Sequence, residues 1–162
     1  MVPRHIFDSL SAAPFITGRH VADVGTGAGL PGIPLALCFP EVRFTLLDSN
    51  GKKIRFVQHA VSRLGLTNVA VEKTRIEHYQ PSRLFDVVIS RAFASLQNFV
   101  AGCAHTLSPD GQLIAMKGRY PEEELATLEK TRPGWQLAES KKVTVPELTG
   151  ERHILILEHS PG

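Results

Sequence analysis

The chain has 162 residues, 43% of them hydrophobic and 21% charged, which is the composition of an ordinary globular domain and excludes a disordered tail. Eighteen Lys and Arg against sixteen Asp and Glu leave a formal net charge of +2, compatible with a nucleic-acid partner but short of a dedicated basic binding domain. No apolar run approaches a membrane span and Met1-Val2-Pro3-Arg4-His5 lacks the pattern of a signal peptide, so the expected location is the cytoplasm, away from membranes.

Two cysteines, Cys38 and Cys103, stand far apart without a C-x-x-C pattern. They give no disulfide framework and no support for a metal site, and read as two buried thiols in a reducing compartment. In chain order, short apolar runs predict strands at 20–24, 42–48, 68–72, 85–90 and 112–117. Between them, a helix begins near Pro31. A second spans 52–64, with Ile54, Val57, Val61 and Leu64 on one face. A third spans 95–107, opened by a Ser95 cap and closed by a Ser108-Pro109-Asp110-Gly111 turn. Pro121 and the three glutamates after it start a fourth, since Pro suits a first helical turn and acids suit the positive end of the dipole.

The last third reads as two extended segments, 135–145 and 152–158, joined by 146–150. That connection is too short for a helix, so the two strands run antiparallel. The fold class is therefore α/β: a mostly parallel seven-stranded sheet with an antiparallel C-terminal strand and helices on both faces. This is the Rossmann-like arrangement of class I methyltransferases that use S-adenosylmethionine (SAM), and residues 1–162 form one such domain.

The most informative segment is Val21-Ala22-Asp23-Val24-Gly25-Thr26-Gly27-Ala28-Gly29-Leu30. A buried strand runs into Gly25, Gly27 and Gly29, where the chain can turn sharply and a ligand can lie on the backbone. The helix after it would aim free N–H groups at that ligand. The dinucleotide fingerprint G-x-G-x-x-G requires a third glycine where Leu30 stands, which makes a nicotinamide enzyme the weakest reading. The form D-x-G-x-G-x-G resembles motif I of SAM methyltransferases, where the acid, here Asp23, faces the methionine end of the cofactor.

Asp48 ends the second strand, placed to accept hydrogen bonds from ribose hydroxyls or to cap the next helix. After the third strand, Ile76 and Glu77 either hold an adenine by packing and a hydrogen bond or form an ordinary surface turn. After the fourth, Ser90-Arg91-Ala92-Phe93 replaces the Asn/Asp-Pro-Pro-aromatic loop of enzymes that methylate exocyclic amines, which disfavours that chemistry.

Arg4-His5-Ile6-Phe7-Asp8-Ser9, the run from Asp23 to Pro34, Leu46-Leu47-Asp48-Ser49, the Ile89-to-Leu96 segment, Met116-Lys117-Gly118 and Gly150-Glu151-Arg152-His153 together resemble the RsmG (GidB) family, in order and over essentially the whole chain. The resemblance implies SAM-dependent methylation of N7 of one guanine, position 527 in the 530 loop of bacterial 16S ribosomal RNA, on the RNA or the small subunit. It implies cofactor contacts at Gly25, Leu30, Ile76, Glu77 and Arg91, to which the residue pattern adds Asp23, Gly27, Gly29 and Asp48. Family members carry a further helical segment ahead of the part matched by Arg4 to Ser9, which this sequence does not include.

Guanine N7 has an in-plane lone pair and no proton, so no general base and no metal is required. Arg91 and Lys117 are candidate guanine or phosphate contacts, and His5 and Asp8 candidates for closing the pocket. Lys52, Lys53, Arg55, Arg63, Lys73, Arg75 and Arg119 offer charge for RNA capture or form a solvated face. Phe93 is either a stacking surface for a base or a core residue. The expected state is a monomer. Two other readings remain: a class I methyltransferase with another substrate, and a module that binds SAM or RNA without catalysis.

Overall fold

The computed structural model describes residues 2–91, 93–144 and 151–160, with only the backbone of 2–5. One sheet holds seven strands: β1 (His20–Val24), β2 (Arg43–Asp48), β3 (Val69–Lys73), β4 (Phe85–Ser90), β5 (Leu107–Lys117), β6 (Trp135–Val143) and β7 (Arg152–His159). Their order is β3-β2-β1-β4-β5-β7-β6. β7 runs antiparallel to both its neighbours, β5 and β6, while the pairs from β3 through β5 are parallel. The expected inserted antiparallel strand is thus present. The expected connection at 146–150 lies outside the described residues.

Among the described residues five α-helices cover the sheet: α1 (Val2–Leu10), α2 (Gly32–Cys38), α3 (Gly51–Leu64), α4 (Leu96–Cys103) and α5 (Glu122–Thr131). The sheet is buried on both sides, which is why its central strands read as continuous apolar runs. Val88, Leu113, Leu155 and Leu157 point toward Phe99 and Val100 of α4 and Leu128 of α5. Val87, Ile89, Ile114, Ile154 and Ile156 point the other way, toward Leu35 of α2 and Val57 of α3.

Several local expectations differ from what forms. The predicted turn at 108–111 lies inside β5: Leu107 already pairs with Phe85 and Gln112 with Val87, so Pro109 and Gly111 are taken up in a bulge instead of ending the pairing. Ser95 caps α4 as expected, its Oγ accepting from Asn98 N at 3.2 Å, and after Cys103 the helix tightens into a 3-10 turn over Ala104–Thr106 that reaches β5 one residue short of the expected end. Leu64, expected on the apolar face of α3, is exposed because the helix ends there in a left-handed Gly65. Cys38 is exposed at the end of α2; only Cys103 is a buried thiol, and burial pushes its pKa up. Among the described residues no helix is long and apolar enough to cross a membrane.

The edge that carries β2 and β3 is tied to α2 by one side chain. Asn68 Nδ2 donates to the carbonyls of Ala36, Phe39 and Val42 at 3.1, 3.0 and 2.9 Å, so a single amide fixes the whole α2–β2 connection. Replacing it leaves those partly buried acceptors to find other donors. Asn68→Ala is expected to lower stability by about 1–3 kcal/mol, read as a shift in the urea midpoint at constant slope; an unmoved midpoint would contradict this role.

Candidate active site

In an open α/β sheet, ligands settle at the carboxyl ends of the strands where the strand order reverses. Here that point lies between β1, whose chain continues to β2 and β3, and β4, which continues to β5. Ser90 Oγ, at the end of β4, donates to Val24 O at 2.8 Å and joins the two strand ends across the switch.

The glycine loop after β1 is held partly by its own bonds and partly by the end of β2. Gly25 N and Thr26 N donate to Leu47 O at 2.8 and 3.0 Å, and Gly29 N and Leu30 N donate to Thr26 O at 2.9 and 3.1 Å. Gly25, Gly27 and Gly29 adopt φ of 70°, 58° and 89°, a region closed to most side chains, so this path requires glycine. The N–H groups at the start of α2 do not point at a ligand as expected. Gly32 N donates to Asp23 Oδ2 at 2.8 Å and Ile33 N to Gly29 O at 2.7 Å.

Asp23 is the buried centre of this arrangement. Its Oδ2 accepts from Gly32 N and from Thr26 Oγ1 at 2.7 Å, while Oδ1 has no partner among the described residues. Burial pushes its carboxyl from the ordinary 3.8 up to about 7, against the pull of the two hydrogen bonds. The carboxyl therefore lies beneath the loop and supports it, instead of sitting open toward a cofactor. Gly32, which was not singled out as a site residue, is what lets it do so: a Cβ there would meet Asp23 Oδ2 and Leu46 Cγ, both at 2.8 Å. A glycine directly after a glycine loop, facing an acid in the preceding strand, is the signal that could have marked it.

A cavity of about 180 Å³ opens beside the loop, lined by Gly25, Leu47, Asp48, Thr74, Ile76, Glu77 and Phe93 among others. That is less than the ~300–1,000 Å³ of a whole-ligand pocket and suits one end of a nucleoside cofactor. Four of the proposed cofactor residues, Gly25, Asp48, Ile76 and Glu77, meet here; Asp23, Gly27, Gly29, Leu30 and Arg91 do not line it. Asp48 Oδ2 accepts from Gly27 N and Oδ1 from Asn50 N, both at 2.9 Å, which leaves each oxygen a further lone pair for a ligand hydroxyl. It does not cap α3; Asn50 does, accepting from Lys53 N. Ile76 is buried and Glu77 exposed, so together they offer an apolar wall and a polar rim. Gly102 of α4 closes the back, with Glu77 Oε1, Ile76 and Phe93 all converging within 3.5 Å of where its Cβ would be. This donor set, two carboxylates and an apolar wall, fits an adenosine group.

The other candidates lie on the far side of the switch. Arg91 is exposed, its Nη1 4.0 Å from Asp8 Oδ2, and Asp8 Oδ1 stands 3.6 Å from Arg152 Nε. Asp8 thus joins α1 to the ends of β4 and β7 instead of facing the cavity. The His5 side chain lies outside the described residues. Lys117 is already engaged: its Nζ meets Glu124 Oε1 at 3.0 Å and donates to Phe93 O at 3.2 Å. Glu124 also accepts from Leu96 N at 2.9 Å, so this pair pins the segment from Phe93 to the start of α4. Phe93 is half-buried, stacked on Phe99 at 5.1 Å, and forms part of the cavity wall.

Comparison with known proteins adds three findings. A family model described as GidB, rRNA small subunit methyltransferase G, matches residues 1–155. The chain is 52% identical over 157 residues to a ribosomal RNA small subunit methyltransferase G of Marinobacter nauticus, covering 97% of this chain and 72% of the relative, and 54% identical over 164 residues to that of Cellvibrio japonicus, covering 98% and 73%. Its fold is that of a SAM-dependent methyltransferase from Thiobacillus denitrificans solved with S-adenosyl-L-homocysteine, with a TM-score of 0.71 at 14% identity, covering 95% and 90% of the two chains.

The raised pKa of Asp23 has a measurable consequence. The unfolded chain releases this proton near pH 4 and the folded chain only near pH 7, so between those values the folded state holds the extra proton. Stability from this group therefore falls as pH rises from 4 to 7. Asp23→Asn keeps an acceptor for Thr26 and Gly32 but has nothing to titrate. Its thermal midpoint should fall less than the native protein's across that window; parallel pH profiles would show that Asp23 ionises elsewhere.

Proposed function

The chain belongs to the rRNA small subunit methyltransferase G family, and we propose that it transfers a methyl group from SAM to N7 of guanine 527 in 16S ribosomal RNA, acting in the cytoplasm as one domain. The observation that carries this reading is the cavity at the switch point, where Gly25, Asp48, Ile76 and Glu77 converge in a chain that matches the family over residues 1–155.

SAM, when bound, supplies an electrophilic methyl carbon on a sulfonium. Asp48 accepts from the ribose hydroxyls with the lone pairs its loop contacts leave free. Ile76 packs against the adenine and Glu77 accepts from its amino group. The Gly25 backbone gives the remainder of the cofactor room to pass along the loop, past Gly27, Gly29 and Leu30. Because N7 carries a lone pair and no proton, no side chain has to act as a base, and catalysis rests on alignment. The exposed Arg91 at the end of β4 is the cation best placed to donate to guanine O6 or a phosphate. Lys117 serves by holding the segment that contains Phe93, since its ammonium already has partners.

The test is transfer of labelled methyl from SAM to small ribosomal subunits that lack the mark, with the product mapped by strand cleavage at N7-methylguanine. One methyl per subunit at position 527 is expected; none, from a folded chain that binds SAM, would overturn the substrate. In the same assay Asp48→Ala should weaken SAM binding by about 1–3 kcal/mol, through the lost hydroxyl bonds and the loosened Gly27. Unchanged calorimetric affinity would remove Asp48 from the cofactor site.

A further inference from the structure

The outward face of α3 has no role in that reading. Lys52, Arg55, Phe56, His59 and Arg63 fall at helical spacings of three and four residues, all of them exposed, opposite the buried Ile54 and Val57. α3 carries four of the chain's eighteen Lys and Arg and none of its sixteen acids, so the rest of the protein is net negative. A merely solvated helix face pairs its cations with acids one turn away, which steadies the helix. Here Arg55, His59 and Arg63 follow one another at four-residue steps without an acid between them. Among the described residues, Lys52, Arg55 and Arg63 have no carboxylate within ion-pair distance.

The stripe also has an aromatic centre and a direction. Phe56 is 57% exposed in the middle of the helix, with cations on both sides of it. The helix starts two residues after Ser49, which with Asp48 lines the cavity. Beside its first residue, Lys73 Nζ and Arg55 Nη1 lie 3.2 and 3.7 Å from where a Cβ of Gly51 would stand, two like charges brought together next in sequence to the cavity-lining Ser49 and Thr74. Among the described residues neither cation has a carboxylate within ion-pair distance, and like charges held close in this way form a seat for an anion.

We infer that this face of α3 is a docking surface for single-stranded RNA next to the target, with Phe56 stacking on an unpaired base and Lys52, Arg55, Lys73 and Arg63 meeting phosphates. An aromatic platform in a cationic groove is how proteins hold unpaired nucleotides without reading their sequence. The inference rests on the ribosomal RNA reading above and extends the RNA contact from the reacting guanine to its neighbours.

The probe is a fluorescent stem-loop RNA with an unpaired guanine in its loop, titrated into the full chain, alongside methyl transfer to unmarked small subunits. Phe56→Ala should weaken RNA binding about tenfold and raise the KM for subunits, while the kcat at saturation and the SAM affinity stay as they are. Phe56→Tyr, which keeps the ring, should restore binding. Changing Lys52, Arg55 and Arg63 together to Gln should lower the slope of log affinity against log salt by about 2. If the native chain methylates subunits and the Phe56→Ala and triple Gln variants bind RNA and turn over as it does, the surface is refuted and the substrate reading stands. If naked-RNA binding is intact but activity on assembled subunits is lost, the face meets a protein and the proposal is overturned. A native chain that neither binds RNA nor transfers methyl removes the substrate reading and this surface with it.

Discussion

The arrangement around the site depends on one buried carboxyl. Asp23 has no exposed surface, and through a single oxygen it fixes both the hydroxyl of Thr26 in the glycine loop and the first N–H of α2. From there the path of the chain is set. The loop returns over Leu47 O, Asp48 clamps Gly27, and the ends of β1 and β2 are locked to each other before any ligand arrives. A loop that already satisfies its own backbone donors does not need ordering by what it binds, so little entropy is lost on binding. The cost is an ionisable group in a place without water, offset by keeping its proton to an unusually high pH.

Opposite this rigid half stands a segment fixed from outside. Phe93 to Ser95 belong to no strand; this stretch is secured by Lys117, whose ammonium meets the Phe93 and Ala94 carbonyls, and by Glu124, which reaches from α5 to Leu96 N. The two halves of the crevice are therefore built differently. The glycine-loop side is held by residues within one βαβ unit, and the Phe93 side by residues distant in sequence, on β5 and α5.

That difference explains what the sequence could tell. The strands, the glycine loop, the Ser95 cap and the antiparallel β7 were legible because each is a local pattern of period, turn chemistry or connection length. That Gly25, Asp48, Ile76 and Glu77 meet around one cavity was legible because they lie at or just past strand ends, and strand ends meet in this fold. Lys117 was read as a possible substrate contact because its acceptors, Phe93 O and Glu124, are distant in sequence and leave no periodic trace. Position alone cannot say which way the Asp23 carboxyl turns; Gly32, whose N–H it accepts from, reads in the sequence as an ordinary helix start. The turn at 108–111 was misjudged for the opposite reason. Its chemistry is that of a turn, but pairing between Leu107 and Phe85 is established before it and turns it into a bulge.

β6 closes the sheet at the side away from β3, and most of its residues are exposed. Such a border presents unpaired backbone groups that could take up a strand from another molecule. Here the register shifts between Leu137 and Glu139, and Lys141 and Lys142 follow in succession. An incoming strand would have to follow that kink and strip water from two ammonium groups to extend the ladder. The outermost strand thus resists strand addition at this border while its inner edge completes the sheet.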